Sequence, residues 1–158
     1  MPTDASRPER CRTCGILGAI DTAPVSERIY WDGTWRITHA LDSALPGWLV
    51  VIPARHVLSL GDLNGAEAAS LGPLLTAASR ALVSVTGSAK TYLASFAEKE
   101  GFTHLHIHLI PRHANLEPGR RGPGIFGYLD RPAAEQVPAA ERERLALALR
   151  DAMQPCLI

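Results

Sequence analysis

The first half of the chain has the apolar patterns of three β-strands. Residues 28–31 and 34–38 flank Asp32 and Gly33, a pair that tolerates positive φ at both turn positions, so the pattern predicts a β-hairpin. Residues 48–53 form a continuous apolar run that ends at a proline, which is typical of a buried strand.

A helical spacing follows. Asn64 and Glu67 stand at the spacing of a capping box, and apolar residues recur at helical intervals until Gly87, so a helix is predicted between them. Pro73 lies inside this pattern and predicts either a kink or a later start. The apolar residues that define the pattern are Leu71, Leu75, Ala78, Leu82 and Val85.

The second half predicts two more strands and a last helix. The strands are residues 91–96 and 104–110, and the helix is residues 138–153 with Leu145 and Leu149 facing the core. Gly, Pro and Arg dominate residues 111–123, which indicates a surface loop. The order of elements predicts an α+β fold with a mostly antiparallel sheet. Residues 1–10 are expected to be a flexible N-terminus and residues 11–158 a single domain.

Composition restricts the function classes. The chain has 158 residues, of which 46% are hydrophobic and 20% charged, as in a globular protein. Sixteen basic and sixteen acidic side chains cancel, so nucleic-acid binding by bulk charge is not expected. No secretory leader and no run of about 18 apolar residues is present, so we expect a cytoplasmic protein without a membrane partner.

The most informative segment is residues 104–110, in which His104, His106 and His108 alternate with aliphatic residues. Such alternation predicts a strand with an apolar face and a face carrying three imidazoles about 6.5–7 Å apart. Neutral imidazoles serve as metal ligands, nucleophiles or general bases. The pattern alone also fits three solvated histidines or a site in which all three bind metal.

Cys11 and Cys14 form a CxxC motif, which is half of a tetrahedral zinc site. The alternatives are a redox pair or two incidental thiols. Because the chain has no second cysteine pair, further zinc ligands would have to be histidines, and His56 stands directly after a predicted strand, where a ligand is held rigidly. A closed site with four protein ligands would be structural.

These motifs together resemble the histidine triad (HIT) family. Residues 104–112 match its His-φ-His-φ-His-φ-φ signature with the Pro-Arg that often follows, and residues 46–56 resemble its segment of a buried strand followed by Pro-x-x-His. The CxxC motif resembles the zinc half-site of many bacterial members and of the related galactose-1-phosphate uridylyltransferases. The resemblance implies a five-stranded, mostly antiparallel sheet with two main helices, and a homodimer.

The resemblance also implies residue roles. Zinc would be bound by Cys11, Cys14, His56 and His104, and would be structural. His106 would be the nucleophile that forms a covalent nucleotidyl-histidine, and His108 would help to hold the α-phosphate. The implied activity is that of a nucleotide hydrolase or nucleotidyltransferase acting on a dinucleoside polyphosphate or a nucleoside phosphoramidate.

The segment before the triad departs from the family pattern. Most members have a Gly-Gln-Ser/Thr-like stretch there, whereas this chain has acidic Glu98 and Glu100 beside Lys99. Ser95 and Thr103 are candidate replacement donors to phosphate. Asp42 is the candidate for binding the ribose hydroxyls, with a turn cap as its alternative.

Two rival hypotheses remain at this point. The first is a nucleotide-binding or sensing protein with little turnover, which the acidic residues near the phosphate site favour. The second is a metalloprotein whose histidines all bind metal, which predicts more than one metal ion per chain.

Overall fold

The computed structural model describes residues 10–154, which form one five-stranded sheet with two long helices on one face. The expected flexible N-terminus, apart from Arg10, lies outside these residues. In chain order the elements are α1 (Arg12–Gly18), β1 (Tyr30–Trp31), β2 (Trp35–His39), β3 (Leu49–Pro53), α2 (Gly65–Thr86), β4 (Lys90–Ala94), β5 (Ile107–Arg112) and α3 (Ala139–Met153).

The strand order is β1-β2-β3-β5-β4, and every neighbouring pair is antiparallel. In the register of the central strands, Val50 pairs with Thr38 on one side and with His108 on the other. The predicted α+β class, the five-stranded antiparallel sheet and the two main helices are confirmed. The short helix α1 was not predicted, because seven residues are too few to show a helical period.

The hairpin predicted around Asp32 and Gly33 joins β1 to β2. The Asp32 Oδ1 atom accepts the backbone N–H groups of Thr34 at 2.8 Å and Trp35 at 2.7 Å, and Gly33 has φ +85°. The turn residues therefore act as their types suggest, although β1 has two residues instead of the four predicted.

Helix α2 begins and ends where the sequence predicts. Asn64 caps it by accepting the N–H of Glu67, whose carboxylate accepts the N–H of Asn64, and Gly87 ends it with φ +67°. Pro73 lies inside the helix and does not delay its start. By length and composition α2 could cross a membrane, with a mean hydropathy of 1.3. A core helix meets the same criterion, and one face of α2 is buried against the sheet and α3.

The strand that carries the histidines begins later than predicted. β5 starts at Ile107, so of the triad histidines His108 lies in the strand, whereas His104 and His106 precede it. The physical reason is that Pro53, at the end of β3, has no N–H with which to continue the ladder. Before β5, the chain pairs instead with the segment that follows β3: the Leu105 N–H donates to the Val57 carbonyl at 2.7 Å.

Side chains of the central strands point alternately to the two faces of the sheet, and each face carries its own apolar cluster. The larger one packs strand residues such as Trp35, Leu49 and Leu109 against α2 and α3, and includes Leu145 and Leu149 as predicted. The smaller one lies on the opposite face and contains Trp48 and Ile110 with residues of the segment after β5. The histidine-bearing face is therefore the one that the long helices leave uncovered.

Candidate functional site

The CxxC motif forms the start of α1. Cys11 is the N-cap residue, and its Sγ accepts the backbone N–H of Cys14 at 3.4 Å, so both thiols point from one helical turn. His56 follows β3 in a segment whose neighbouring Arg55 is bound by the Glu67 carboxylate at the start of α2. These anchors bring Cys11, Cys14, His56 and His104 together.

The ligand atoms of these four residues lie within 4.8 Å of one another. The Nδ1 atom of His104 is 3.8 Å from Cys11 Sγ and 3.5 Å from Cys14 Sγ, and His56 Nδ1 is 3.2 Å from Cys14 Sγ. In a tetrahedral zinc site, ordinary Zn–S and Zn–N bond lengths separate sulfur from nitrogen by about 3.5 Å. Two thiols and two imidazoles at these distances fit Zn²⁺.

The tautomer of His104 fits a metal site. The Nε2–H of His104 donates to the Pro53 carbonyl at 2.9 Å, so the Nδ1 lone pair of this ring faces the sulfurs. Burial, together with the neighbouring Cys11, raises the pKa of the Cys14 thiol to about 11. A cation at the centre would stabilise the thiolate that burial otherwise disfavours.

His106 is oriented by the backbone. Its Nδ1–H donates to the His104 carbonyl at 2.8 Å, which leaves Nε2 with the lone pair. The Ser95 hydroxyl, just after the end of the neighbouring strand β4, donates to the His106 carbonyl at 2.7 Å and so fixes the backbone at His106. These two hydrogen bonds therefore fix the position of the His106 ring.

His108 lies beside His106, with ring centroids 5.0 Å apart. The indole N–H of Trp48 donates to His108 Nδ1 at 3.0 Å. Burial, and next the proximity of His106, lower the pKa of His108 to about 4, so the ring is neutral near neutral pH.

Both histidines line a cavity of about 540 Å³ on the uncovered face of the sheet. Asp42, the candidate for ribose binding, lines it, whereas Ser95 and Thr103 do not. Its walls are largely apolar and include Ile16, Val50, Ile52, Phe96, Phe102 and Phe126. An apolar cavity of this size with a few polar groups is typical of a small-molecule site.

Charged groups at the cavity connect the segment after β4 to the segment after β5. Lys99 Nζ binds Asp130 at 2.6 Å and is 3.9 Å from Asp42. Burial and the hydrogen bond with Asp130 raise the pKa of Asp42, and the Lys99 hydrogen bond lowers that of Asp130. Glu98 and Lys99 also line the cavity.

Phe126 was missed by the sequence reasoning. Its ring packs edge-on against Trp48 at 5.3 Å, Phe96 at 5.2 Å and His108 at 5.5 Å. It belongs to a 3-10 segment, Gly122–Tyr128, that folds the glycine-rich region back over the site. The sequence feature that could have predicted this contact is the aromatic residue itself, because a fully solvated loop gains nothing from a large apolar side chain.

The HIT domain family matches residues 23–115, and no curated protein sequence matches at a significant level. A HIT-like protein involved in cell-cycle regulation from Bartonella henselae is 20% identical, with TM-score 0.69 and coverage of 90% of this chain and 95% of that one.

Two other solved structures are similar in fold. A zinc-bound histidine triad family protein from Mycobacterium smegmatis is 22% identical, with TM-score 0.66 and coverage of 94% and 96%. A uridylyltransferase is 19% identical with TM-score 0.63, and the match covers 94% of this chain but 46% of that one.

His39 also lines the cavity, and backbone groups hold both of its ring nitrogens. Its Nδ1–H donates to the Ala40 carbonyl at 2.8 Å, and its Nε2 accepts the Gly47 N–H at 3.0 Å. Burial lowers the pKa of His39 to about 4. Because the unfolded chain binds a proton on this ring below about pH 6.5, His39 contributes stability that is lost as the pH falls towards 4.

We expect the His39→Gln variant to lose part of this pH dependence. Between pH 6.5 and 4.5 the free energy of unfolding of the wild type should fall by about 2 kcal/mol more than that of the variant. Urea unfolding at several pH values measures both slopes, and acid release of any bound metal cancels in their difference. Equal slopes would show that His39 is not a buried neutral group.

Proposed function

Because the chain belongs to the HIT domain family, we propose that it is a nucleotide hydrolase or nucleotidyltransferase. Its substrate would be a dinucleoside polyphosphate or a nucleoside phosphoramidate, attacked at the α-phosphate. The observation that carries the proposal is the hydrogen bond from His106 Nδ1–H to the His104 carbonyl, because it leaves the Nε2 lone pair of a cavity-lining imidazole as a nucleophile.

In the proposed reaction, His106 Nε2 attacks the α-phosphorus while the bond to the leaving group breaks. The leaving group departs with the electron pair of the P–O or P–N bond, and the nucleotide is then bound to His106. Water or another acceptor attacks the same phosphorus, breaks the P–N bond to His106 and releases the nucleotide. His108 contributes a hydrogen bond to the phosphoryl oxygens, where charge accumulates in both transition states.

Asp42 is proposed to bind the ribose hydroxyls from the cavity wall, with Lys99 near the phosphates. For Ser95 we propose a positioning role in place of phosphate binding, because its hydroxyl donates to the His106 carbonyl and its side chain does not line the cavity. We retain Thr103 as a substrate-binding proposal, although its side chain does not line the cavity.

Replacement of the nucleophile tests the reaction. His106→Asn should lower the release of nucleoside monophosphate by at least about a thousandfold, because a carboxamide cannot form the covalent intermediate. A substrate labelled at the α-phosphorus should label the wild-type protein on rapid quenching and leave the variant unlabelled. His113→Asn, which removes a histidine outside the cavity, is the matched control.

A sensing protein with little turnover is the second candidate, and it is favoured by Glu98, whose carboxylate lines the cavity where phosphates would bind. If the wild type binds nucleotide but neither turns over nor becomes labelled with any dinucleoside polyphosphate or nucleoside phosphoramidate tested, this alternative is established and the first proposal is contradicted.

We also propose that Cys11, Cys14, His56 and His104 bind one structural Zn²⁺. The ion would fasten α1, whose Arg12, Thr13 and Ile16 line the cavity, to the segment that carries the triad. No reaction step uses the metal. A reducing compartment such as the cytoplasm would keep both thiols available to it.

Metal analysis tests this site. The purified protein should contain one zinc per chain, Cys14→Ser should lose most of it and unfold at a lower temperature, and His106→Asn should retain it. Elemental analysis and thermal unfolding give the two readouts. A second metal ion, or loss of zinc from His106→Asn, would instead support a site in which all the histidines bind metal.

We further propose a homodimer formed through the edge strand β4. Leu93 in this strand is 56% exposed, and the neighbouring Phe96 is 62% exposed. An unpaired strand edge with exposed apolar side chains favours pairing with a second copy.

Substitution on that edge tests the dimer. Leu93→Arg should shift the protein from dimer to monomer in sedimentation equilibrium, because a charge would be buried in the paired interface. Leu147→Arg, on the exposed side of α3, should leave the mass unchanged. A wild-type monomer at high micromolar concentration would contradict the proposal.

A further inference from the structure

Trp48 is a buried residue that the proposed reaction has not used. Its indole N–H contacts the Nδ1 of His108, the residue whose proposed role is to donate a hydrogen bond to phosphate. We propose that Trp48 is a positioning residue, which commits the proton of His108 to Nε2 and so makes this imidazole a donor. The inference rests on the proposed function of the site.

The argument follows from hydrogen-bond chemistry. An indole N–H donates and cannot accept, so the Nδ1 atom it contacts at 3.0 Å must present a lone pair. A neutral imidazole has one N–H, which in His108 is therefore on Nε2. Among the described residues none hydrogen-bonds to that atom, and His108 lines the cavity. The Nε2–H of His108 is thus available to a ligand.

The two adjacent imidazoles consequently have opposite tautomers. In His106 the proton is on Nδ1 and the lone pair on Nε2, because a backbone carbonyl can only accept. In His108 the order is reversed by the indole. One ring is therefore prepared to attack phosphorus and its neighbour to donate to phosphoryl oxygen, before any substrate binds.

The position of Trp48 is set by the fold. Its side chain is fully buried, and Gly47 before it has φ +82°. A Cβ atom on Gly47 would lie 3.0 Å from Thr86 Cγ2 and 3.2 Å from Leu82 Cδ1, so the chain passes close against α2 at this point. The ring planes of Trp48 and His108 meet at 88° with centroids 5.7 Å apart. The indole is thus a rigid donor.

Nuclear magnetic resonance of the ¹⁵N-labelled, zinc-loaded protein tests the tautomer directly. The Nε2 of His108 should resonate as a protonated nitrogen and its Nδ1 as an unprotonated one, with the assignment made by comparison with His108→Asn. A scalar coupling across the hydrogen bond should connect the Trp48 indole nitrogen to His108 Nδ1. These readouts need no turnover, so they remain informative if the proposed reaction fails.

Trp48→Phe removes the donor and keeps an aromatic ring. We expect His108 to lose its single tautomer and kcat to fall by about tenfold, with KM changing by less than about threefold, since one buried hydrogen bond supports a factor of this size. Trp35→Phe is the matched control, because Trp35 is equally buried and its indole N–H donates to the Ser70 hydroxyl at 2.9 Å, outside the cavity.

Three results would overturn the inference. They are wild-type His108 protonated on Nδ1 at neutral pH, an unchanged His108 tautomer in Trp48→Phe, and an equal loss of kcat in Trp35→Phe. If Trp48→Phe does not fold, the wild-type spectrum decides alone, because an observed coupling between the two side chains supports the inference and its absence contradicts it.

Discussion

A neutral imidazole has one proton and two nitrogens, and the partner of one nitrogen decides what the other can do. The fold supplies such a partner to each triad histidine. The Pro53 carbonyl binds His104 Nε2–H, the His104 carbonyl binds His106 Nδ1–H, and the Trp48 indole binds His108 Nδ1. Three chemically identical side chains thereby differ in the atom left available: a lone pair on Nδ1 in His104, a lone pair on Nε2 in His106 and an N–H on Nε2 in His108.

The first and last histidines of the triad contact opposite walls of the cavity. His104 belongs to the Cys–His cluster at the start of α1, and α1 forms one wall of the cavity. His108 contacts the aromatic cluster of Trp48 and Phe126, which forms another wall. The shape of the cavity and the orientation of its imidazoles therefore depend on the same contacts, so changes to either should alter both.

Two segments outside the sheet close the cavity. Phe96 packs against Phe126 in the 3-10 segment, and Lys99 binds Asp130 just after that segment, so the chain after β4 and the chain after β5 contact each other at two points. Ala97 and Asp130 have positive φ values, a backbone conformation that costs energy for residues other than glycine. These contacts offset that cost and hold the charged groups at the cavity.

The sequence by itself determined the local elements and the chemical types at the site. The hairpin at Asp32 and Gly33, the capping box at Asn64 and the histidine and cysteine motifs depend on interactions within a few residues. The grouping of Cys11, Cys14, His56 and His104 was implied by resemblance, and the structure brings their side chains together.

The tertiary structure decided the start of β5, the tautomers and the closure of the cavity. The Pro53 carbonyl is 51 positions from His104, Trp48 is 60 positions from His108, and Phe126 reaches His108 from beyond the end of the sheet. No local pattern contains such pairs, because they form when the antiparallel register of β3 and β5, and the return of the 3-10 segment over the sheet, bring distant residues into contact. The sequence therefore determines which residues are histidines, whereas the fold determines which ring nitrogen of each histidine carries the proton.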